Sequence, residues 1–170
     1  MALTARVAIE PMRYEDVSAV HEIERLSFAT PWPAYAFEQE LKSNRLARYI
    51  VGRAGQTVVG FAGTWLMVDE AHITTFSVHP DWRRQGIGRQ LLLGLLDLAL
   101  SMKARRMTLE VRASNEAAQA LYRSFGFDVA GRRERYYTDD HEDALVMTTP
   151  DLDDPRMRRV LDDERARQAT

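Results

Sequence analysis

The residues whose types and spacing point most plainly to chemistry are Arg83, Arg84, Gln85, Gly86, Ile87, Gly88 and Arg89. They follow the run Phe76-Ser77-Val78-His79-Pro80-Asp81-Trp82. A β-rich stretch ends at Val78, and a long amphipathic helix is predicted from Ile87. The first backbone N–H groups of a helix have no internal partner, and the helix dipole adds about half a positive charge there. Glycines let the main chain take positive φ and approach a ligand closely. Arginines add charge-assisted hydrogen bonds. The combination predicts an anion site suited to a pyrophosphate. Three arginines at a helix start oppose the dipole, a cost that an anion between them relieves. A dinucleotide fingerprint is excluded, because Leu91 stands where its third glycine would be and the loop is too long. A Walker A loop is excluded by the missing Gly-Lys-Ser/Thr. The alternative is a helix-start turn that needs its two glycines only for itself.

The surrounding pattern supplies elements to position this loop. Short strands are predicted at 7–9, 49–51, 57–67, 71–78, 107–111, 127–130 and 144–148, and helices at 14–28, 34–41, 87–102 and 115–125. The first helix shows Val17, Val20, Ile23 and Leu26 at helical spacing. Gly126 is expected to close the last. Gly94 inside the longest helix costs about 1 kcal/mol relative to alanine, which predicts close packing there. Three consecutive strands can pair antiparallel, while the 71–78 and 107–111 strands flank a crossover helix and should be parallel. The fold class is therefore α+β: a mixed, mostly antiparallel sheet with helices on both faces.

The 170 residues suit one domain, expected at 1–150, with a charged tail or appended helix at 151–170. In that tail Asp154 and Pro155 form a helix-start pair. Arg158 with Asp162 and Arg159 with Asp163 stand at i, i+4 spacing, and Met157, Val160 and Leu161 form a thin apolar stripe. Cysteine is absent, which removes disulfides, thiolate nucleophiles and a thioester relay on the protein, and fits a cytoplasmic address. No apolar run spans a membrane, and the first six residues lack the apolar core of a secretory leader. The formal net charge of −2 disfavours nucleic acid as the main partner. The four histidines, His21, His72, His79 and His141, are scattered, so no metal site is expected. The Arg105-Arg106 and Arg132-Arg133-Arg135 clusters read as solvated faces.

Arg83-x-x-Gly86-x-Gly88 on a strand-loop-helix resembles the acetyl-CoA pyrophosphate motif of the GNAT superfamily of N-acetyltransferases. Asp69-Glu-Ala-His-Ile-Thr-Thr, Leu109-Glu-Val-Arg-Ala-Ser-Asn, Ala120-Leu-Tyr-Arg-Ser-Phe-Gly-Phe and Arg135-Tyr-Tyr resemble its RimI-like branch, the bacterial ribosomal-protein alanine N-acetyltransferases. The resemblance spans about residues 6–149 and leaves the tail outside. It implies the acyl-CoA N-acyltransferase fold, acetyl-CoA as co-substrate and no metal. It implies that the backbone of Phe76, Ser77 and Val78 holds the pantetheine arm and thioester carbonyl. The loop Arg84 to Arg89 would hold the pyrophosphate, and Asn115 would also touch the coenzyme. Glu110 matches the branch's general base and Tyr122 its general acid. The implied acceptor is the N-terminal alanine of small-subunit ribosomal protein number eighteen.

Those roles fit the reaction. An amine attacking a thioester must be neutral, the oxyanion needs donors, and the departing thiolate needs a proton. Tyr122 lies seven residues, about two helical turns, beyond Asn115 and so on the same helix face. Read without the resemblance, Glu110 alternates with apolar residues and could be a solvent-facing partner of Arg112, Tyr122 a half-buried aromatic, and Asn115 a helix cap. On the acceptor side, roughly a tenth of α-amines are neutral at pH 7, against well under a thousandth of lysines, so a single carboxylate base suits an N-terminus. Tyr136 and Tyr137, followed by Asp139, Asp140, Glu142 and Asp143, could line a groove for a basic peptide, with Trp32 on its other wall; equally, the loop could be a solvated hairpin and Trp32 part of the core. The alternatives are a lysine or small-amine acetyltransferase of the same fold, and a non-catalytic acetyl-CoA-binding module.

Overall fold

A computed structural model describes residues 5–170. Residues 1–4, part of the stretch read for a leader, lie outside the described residues. Among the described residues there are seven strands: β1 (Ala8–Pro11), β2 (Ala47–Ala54), β3 (Thr57–Met67), β4 (Glu70–Val78), β5 (Arg106–Arg112), β6 (Asp128–Arg133) and β7 (Ala144–Thr148). The same residues hold five α-helices: α1 (Val17–Ser27), α2 (Ala34–Ser43), α3 (Ile87–Ser101), α4 (Glu116–Ser124) and α5 (Pro155–Ala169). The hydrogen-bonded strand order is β1-β2-β3-β4-β5-β7-β6. β4 and β5 are parallel, whereas β1–β2, β2–β3, β5–β7 and β6–β7 are antiparallel. This is the expected mixed, mostly antiparallel sheet. The chain divides into two compact units, Met1–Trp65 with Thr74–Leu95, and Leu66–Ile73 with Leu96–Thr170.

The first unit is built on Phe37, which is fully buried. Its ring meets Phe61 edge-on at 5.7 Å, Tyr49 at 6.4 Å and Trp32 at 5.6 Å. Val17, Val20 and Ile23 of α1 join this cluster. Leu26 does not: it is exposed, and the buried position on that turn is Glu24. The helix also begins later than its periodicity suggests, because Tyr14–Asp16 form a 3-10 turn. At Gly94 a Cβ would stand 2.8 Å from Ile9 Cγ2 and 3.3 Å from Ile50 Cδ1, which explains the glycine. At Gly60 a Cβ would meet Leu91 Cδ1 at 2.8 Å and the Ser77 carbonyl at 3.1 Å. Gly94 and Gly60 thus let α3 approach β1, β2 and β3 closely.

In the second unit β5 alternates. Met107, Leu109 and Val111 are buried, while Thr108, Glu110 and Arg112 take the opposite, half-buried face. α4 ends in a Schellman arrangement: Gly126 N–H donates to the Arg123 carbonyl (3.0 Å) and Phe127 N–H to the Tyr122 carbonyl (3.1 Å). Gly126 takes φ +91° there. α5 is a full helix rather than a loose tail. Asp154 caps it by accepting from Arg156 N–H, and Met157 and Leu161 are each 1% exposed. Met157 Sδ lies 2.6 Å from where a Cβ on Gly126 would stand. Asp162 pairs with Arg165 at i, i+3 rather than with Arg158, and Arg165 also holds Asp97 at 2.5 Å.

Candidate active site

The first group of candidates belongs to the first unit. β4 ends with Phe76, Ser77 and Val78; a 3-10 turn over Pro80–Trp82 follows, and α3 starts at Ile87. The expected backbone freedom falls on Gly86 (φ +80°) and on Arg84 (φ +64°), a residue with no glycine licence. Gly88 sits instead in the first turn of α3. Gln90 fixes the turn from inside. Its Nε2 donates to the carbonyls of Gly86 (3.2 Å) and Ala5 (2.7 Å), and its Oε1 accepts from Val7 N–H. The carbonyl of Gln85 accepts from Ala5 N–H. Arg83 turns away from the helix start. Its Nε donates to the Val78 carbonyl at 3.0 Å and its Nη2 to Ser27 Oγ at 3.3 Å. Ser77 Oγ donates to the same Ser27 Oγ at 2.7 Å. The guanidinium of Arg83 therefore braces the end of β4, leaving Arg84 and Arg89 as the cations at the helix start.

The donor set fits a diphosphate. A positive-φ turn, a helix N-terminus with its dipole, and Arg84 and Arg89 close by in the chain are of the type that binds such an anion, and the first turn of α3 holds no acidic residue.

The second group lies in the second unit. The β4–β5 ladder pairs Glu70 with Arg106, Ala71 with Met107 and His72 with Thr108. The two-residue period puts His72 and Glu110 on one face of that pair. His72 Nε2 lies 2.5 Å from Glu110 Oε2. Arg133 of β6 reaches the other oxygen, Nε to Oε1, at 3.3 Å. The Glu110 side chain is only 11% exposed. The His72 hydrogen bond holds its carboxyl below the ordinary glutamate range; burial opposes this, and the charges of His72 and Arg133 add to the lowering. Glu110 is thus a carboxylate kept ionised and oriented. It does not pair with Arg112. His72 escapes a sequence reading based on metal spacing; its position two residues short of Glu110 in a parallel register is the signal. Arg133 is mostly exposed, as expected of a solvated face, yet reaches Glu110, and Arg105 and Arg106 both reach Asp151.

Asn115 caps α4, its Oδ1 accepting from Ala118 N–H at 3.1 Å. Tyr122 is buried, its ring 5.7 Å from Phe127. Burial, and then the nearby Tyr137, push its hydroxyl pKa well above the ordinary tyrosine value, so it carries its proton at neutral pH.

The acids of the loop after β6 are engaged within the chain. Asp139 and Asp140 each take a nitrogen of Arg112 (2.9 and 3.0 Å), Glu142 reaches it at 3.4 Å, and Asp143 takes Arg132 at 2.7 Å. Burial works against the Arg112 cation, but these carboxylates more than offset it and raise its pKa. The four acids are held by two of the chain's own arginines, so the loop is ordered by internal ion pairs while its carboxylates still outnumber those cations. Arg112 also lies 4.0 Å over the ring of Tyr137, which meets Tyr136 edge-on at 5.2 Å. Burial pushes the Tyr137 hydroxyl up to about 12. Tyr136 is the more open of the two, at 45% exposure. No His, Asp or Glu cluster among the described residues could hold a metal.

Comparison with known proteins shows the family. The profile of the Acetyltransferase (GNAT) family matches residues 17–127. The chain is similar to the ribosomal protein bS18-alanine N-acetyltransferase of Escherichia coli, with 40% identity over 146 residues, 84% of this chain and 96% of the relative. It is also similar to the N-alpha-acetyltransferase RimI of Mycobacterium tuberculosis, 39% identical over 150 residues, 85% of this chain and 92% of the relative. The crystal structure of the ribosomal-protein-S18-alanine N-acetyltransferase from Escherichia coli superposes with a TM-score of 0.78 at 36% identity, covering 85% of this chain and 93% of that one. The chain therefore belongs to the GNAT acetyltransferase family, in its RimI-like branch, and is an N-acetyltransferase whose co-substrate is acetyl-CoA.

Proposed function

We propose that the protein acetylates the N-terminal α-amine of a protein, the alanine terminus of a small-subunit ribosomal protein, by direct attack and in the cytoplasm. The observation that carries this reading is Glu110, a nearly buried carboxylate held ionised by His72 and Arg133, in a chain about 40% identical to bS18-alanine N-acetyltransferase. Acetyl-CoA supplies the activated acetyl thioester. The turn Arg84 to Arg89 binds its diphosphate, and the main chain of Phe76, Ser77 and Val78, with Asn115, orients the rest. A Val78 backbone N–H at the oxyanion contributes on the order of 3 kcal/mol. Glu110 takes the proton of the attacking amine, directly or through one water. Tyr122 holds a proton for the departing thiolate. Much of the rate comes from holding the two reactants together. Trp32, Tyr136 and Tyr137 line the acceptor side. The catalytic domain occupies 1–150, with α5 added to it. Among the described residues no helix is long and apolar enough to cross a membrane, which suits a protein substrate met in solution.

The test is acetylation of an alanine-initiated peptide that also contains lysine, with mass-spectrometric mapping of the modified nitrogen. Acetyl on the terminal nitrogen is expected. Acetyl on the lysine alone overturns the reading in favour of a lysine acetyltransferase.

A further inference from the structure

Among the described residues, a carboxylate with no cationic partner lies in the first unit. Glu40 of α2 is buried, at 8% exposure. Its Oε1 accepts from Tyr49 Oη (3.0 Å) and Trp65 Nε1 (2.9 Å), and its Oε2 from Asn44 Nδ2 (2.5 Å). All three donors are neutral. Among the described residues no lysine or arginine forms an ion pair with it. The nearby Arg48 directs its Nη1 to the carbonyls of Arg45 and Ala47. The three neutral donors orient the carboxyl group without supplying a cation.

That carboxylate lines an open cavity of about 670 Å³ within the first unit, whose walls include Trp32, Tyr35, Trp65 and Gln39. Trp32 is held by Phe37 and by its own backbone N–H, which donates to Glu24 Oε1 at 3.2 Å. Trp65 is held by Glu40 itself. Tyr35 stands at the open side, 64% exposed. Three aromatic rings around a carboxylate are the recognition chemistry of an organic cation, with π-faces for its flat surface and an anion for its charge. A planar guanidinium satisfies both better than a compact, strongly hydrated ammonium.

We infer that the Trp32–Tyr35–Trp65 pocket over Glu40 is a subsite for an arginine side chain of the acceptor polypeptide. The inference rests on the proposed acetylation of a protein N-terminus and adds what selects the acceptor: a guanidinium near the terminus, read in the first unit.

The experiment uses the full chain and alanine-initiated peptides in which a single arginine moves through the positions after the terminus, each compared with its citrulline counterpart. Citrulline keeps the shape and removes the charge. At one position citrulline should raise KM about tenfold, equivalent to about 1.4 kcal/mol, and leave kcat unchanged. Glu40→Gln should bring that ratio to about one. Ser43→Lys, a substitution at an exposed position of the cavity wall, places a competing cation there and should do the same without disturbing the buried hydrogen bonds. Equal KM for every pair in the unsubstituted protein, or an undiminished ratio in Ser43→Lys, overturns the inference while leaving the acetylation reading intact. If no terminal amine is acetylated, the acetylation reading fails. Calorimetry with Nα-acetylated arginine and citrulline peptides then decides the pocket separately, since tighter binding of the arginine peptide, lost in Ser43→Lys, supports it and equal binding rejects it.

Discussion

His72 Nε2 and Glu110 Oε2 lie 2.5 Å apart, His72 on the last rung of the β4–β5 ladder and Glu110 two residues beyond its partner Thr108. This contact sets the charge state of the proposed base. A Glu110 carboxyl held below its ordinary range is stabilising above the unfolded-state value and loses that contribution as pH falls through the lowered folded value. In His72→Gln the carboxyl should titrate at higher pH than in the unsubstituted protein. Carboxyl-carbon NMR of Glu110 reads this directly; an unmoved titration would show that the histidine does not hold the charge.

Tyr122 is placed by the Schellman turn that ends α4. Removing its hydroxyl in Tyr122→Phe leaves the ring contact with Phe127 and the backbone bonds in place. Turnover is expected to fall about a hundredfold, within the range of general acid catalysis, with thermal stability within about 1 kcal/mol. Stopped-flow turnover and a melting curve test both halves; full turnover would remove Tyr122 from the mechanism.

Gly126 at φ +91° faces Met157. Gly126→Ala should destabilise the protein by about 1–3 kcal/mol, from the left-handed backbone and from crowding against Met157. Denaturant unfolding measures it. A neutral result would mean that α5 does not press on the end of α4.

Gly86→Val places a branched side chain at φ +80° in the proposed diphosphate turn. Acetyl-CoA binding, followed by calorimetry, should be lost, and binding at unchanged affinity would move the coenzyme elsewhere.

Much of this was legible in the sequence because it rests on local rules. Gly86 before a helical run, Asn115 as a cap, Gly126 after a helical run and Gly94 in a tight helix each follow from backbone geometry at one position. The parallel placement of β4 and β5 follows from the crossover helix between them. What escaped depends on side chains meeting across elements. His72 and Glu110 are 38 residues apart and meet only because the register sets His72 against Thr108. Asp139, Asp140 and Glu142 looked free because their partner, Arg112, lies far back in the sequence on β5. Glu40 had a readable sign: it follows Phe37 by three residues and so faces the core, where an unpaired carboxylate is a position that demands a reason.

The most direct test of the central claim is Glu110→Gln, assayed for acetyl-CoA affinity and for peptide turnover in the same preparation. The predicted result is unchanged coenzyme affinity with turnover reduced by about 10²–10⁴. Turnover equal to that of the unsubstituted protein would contradict a base at Glu110.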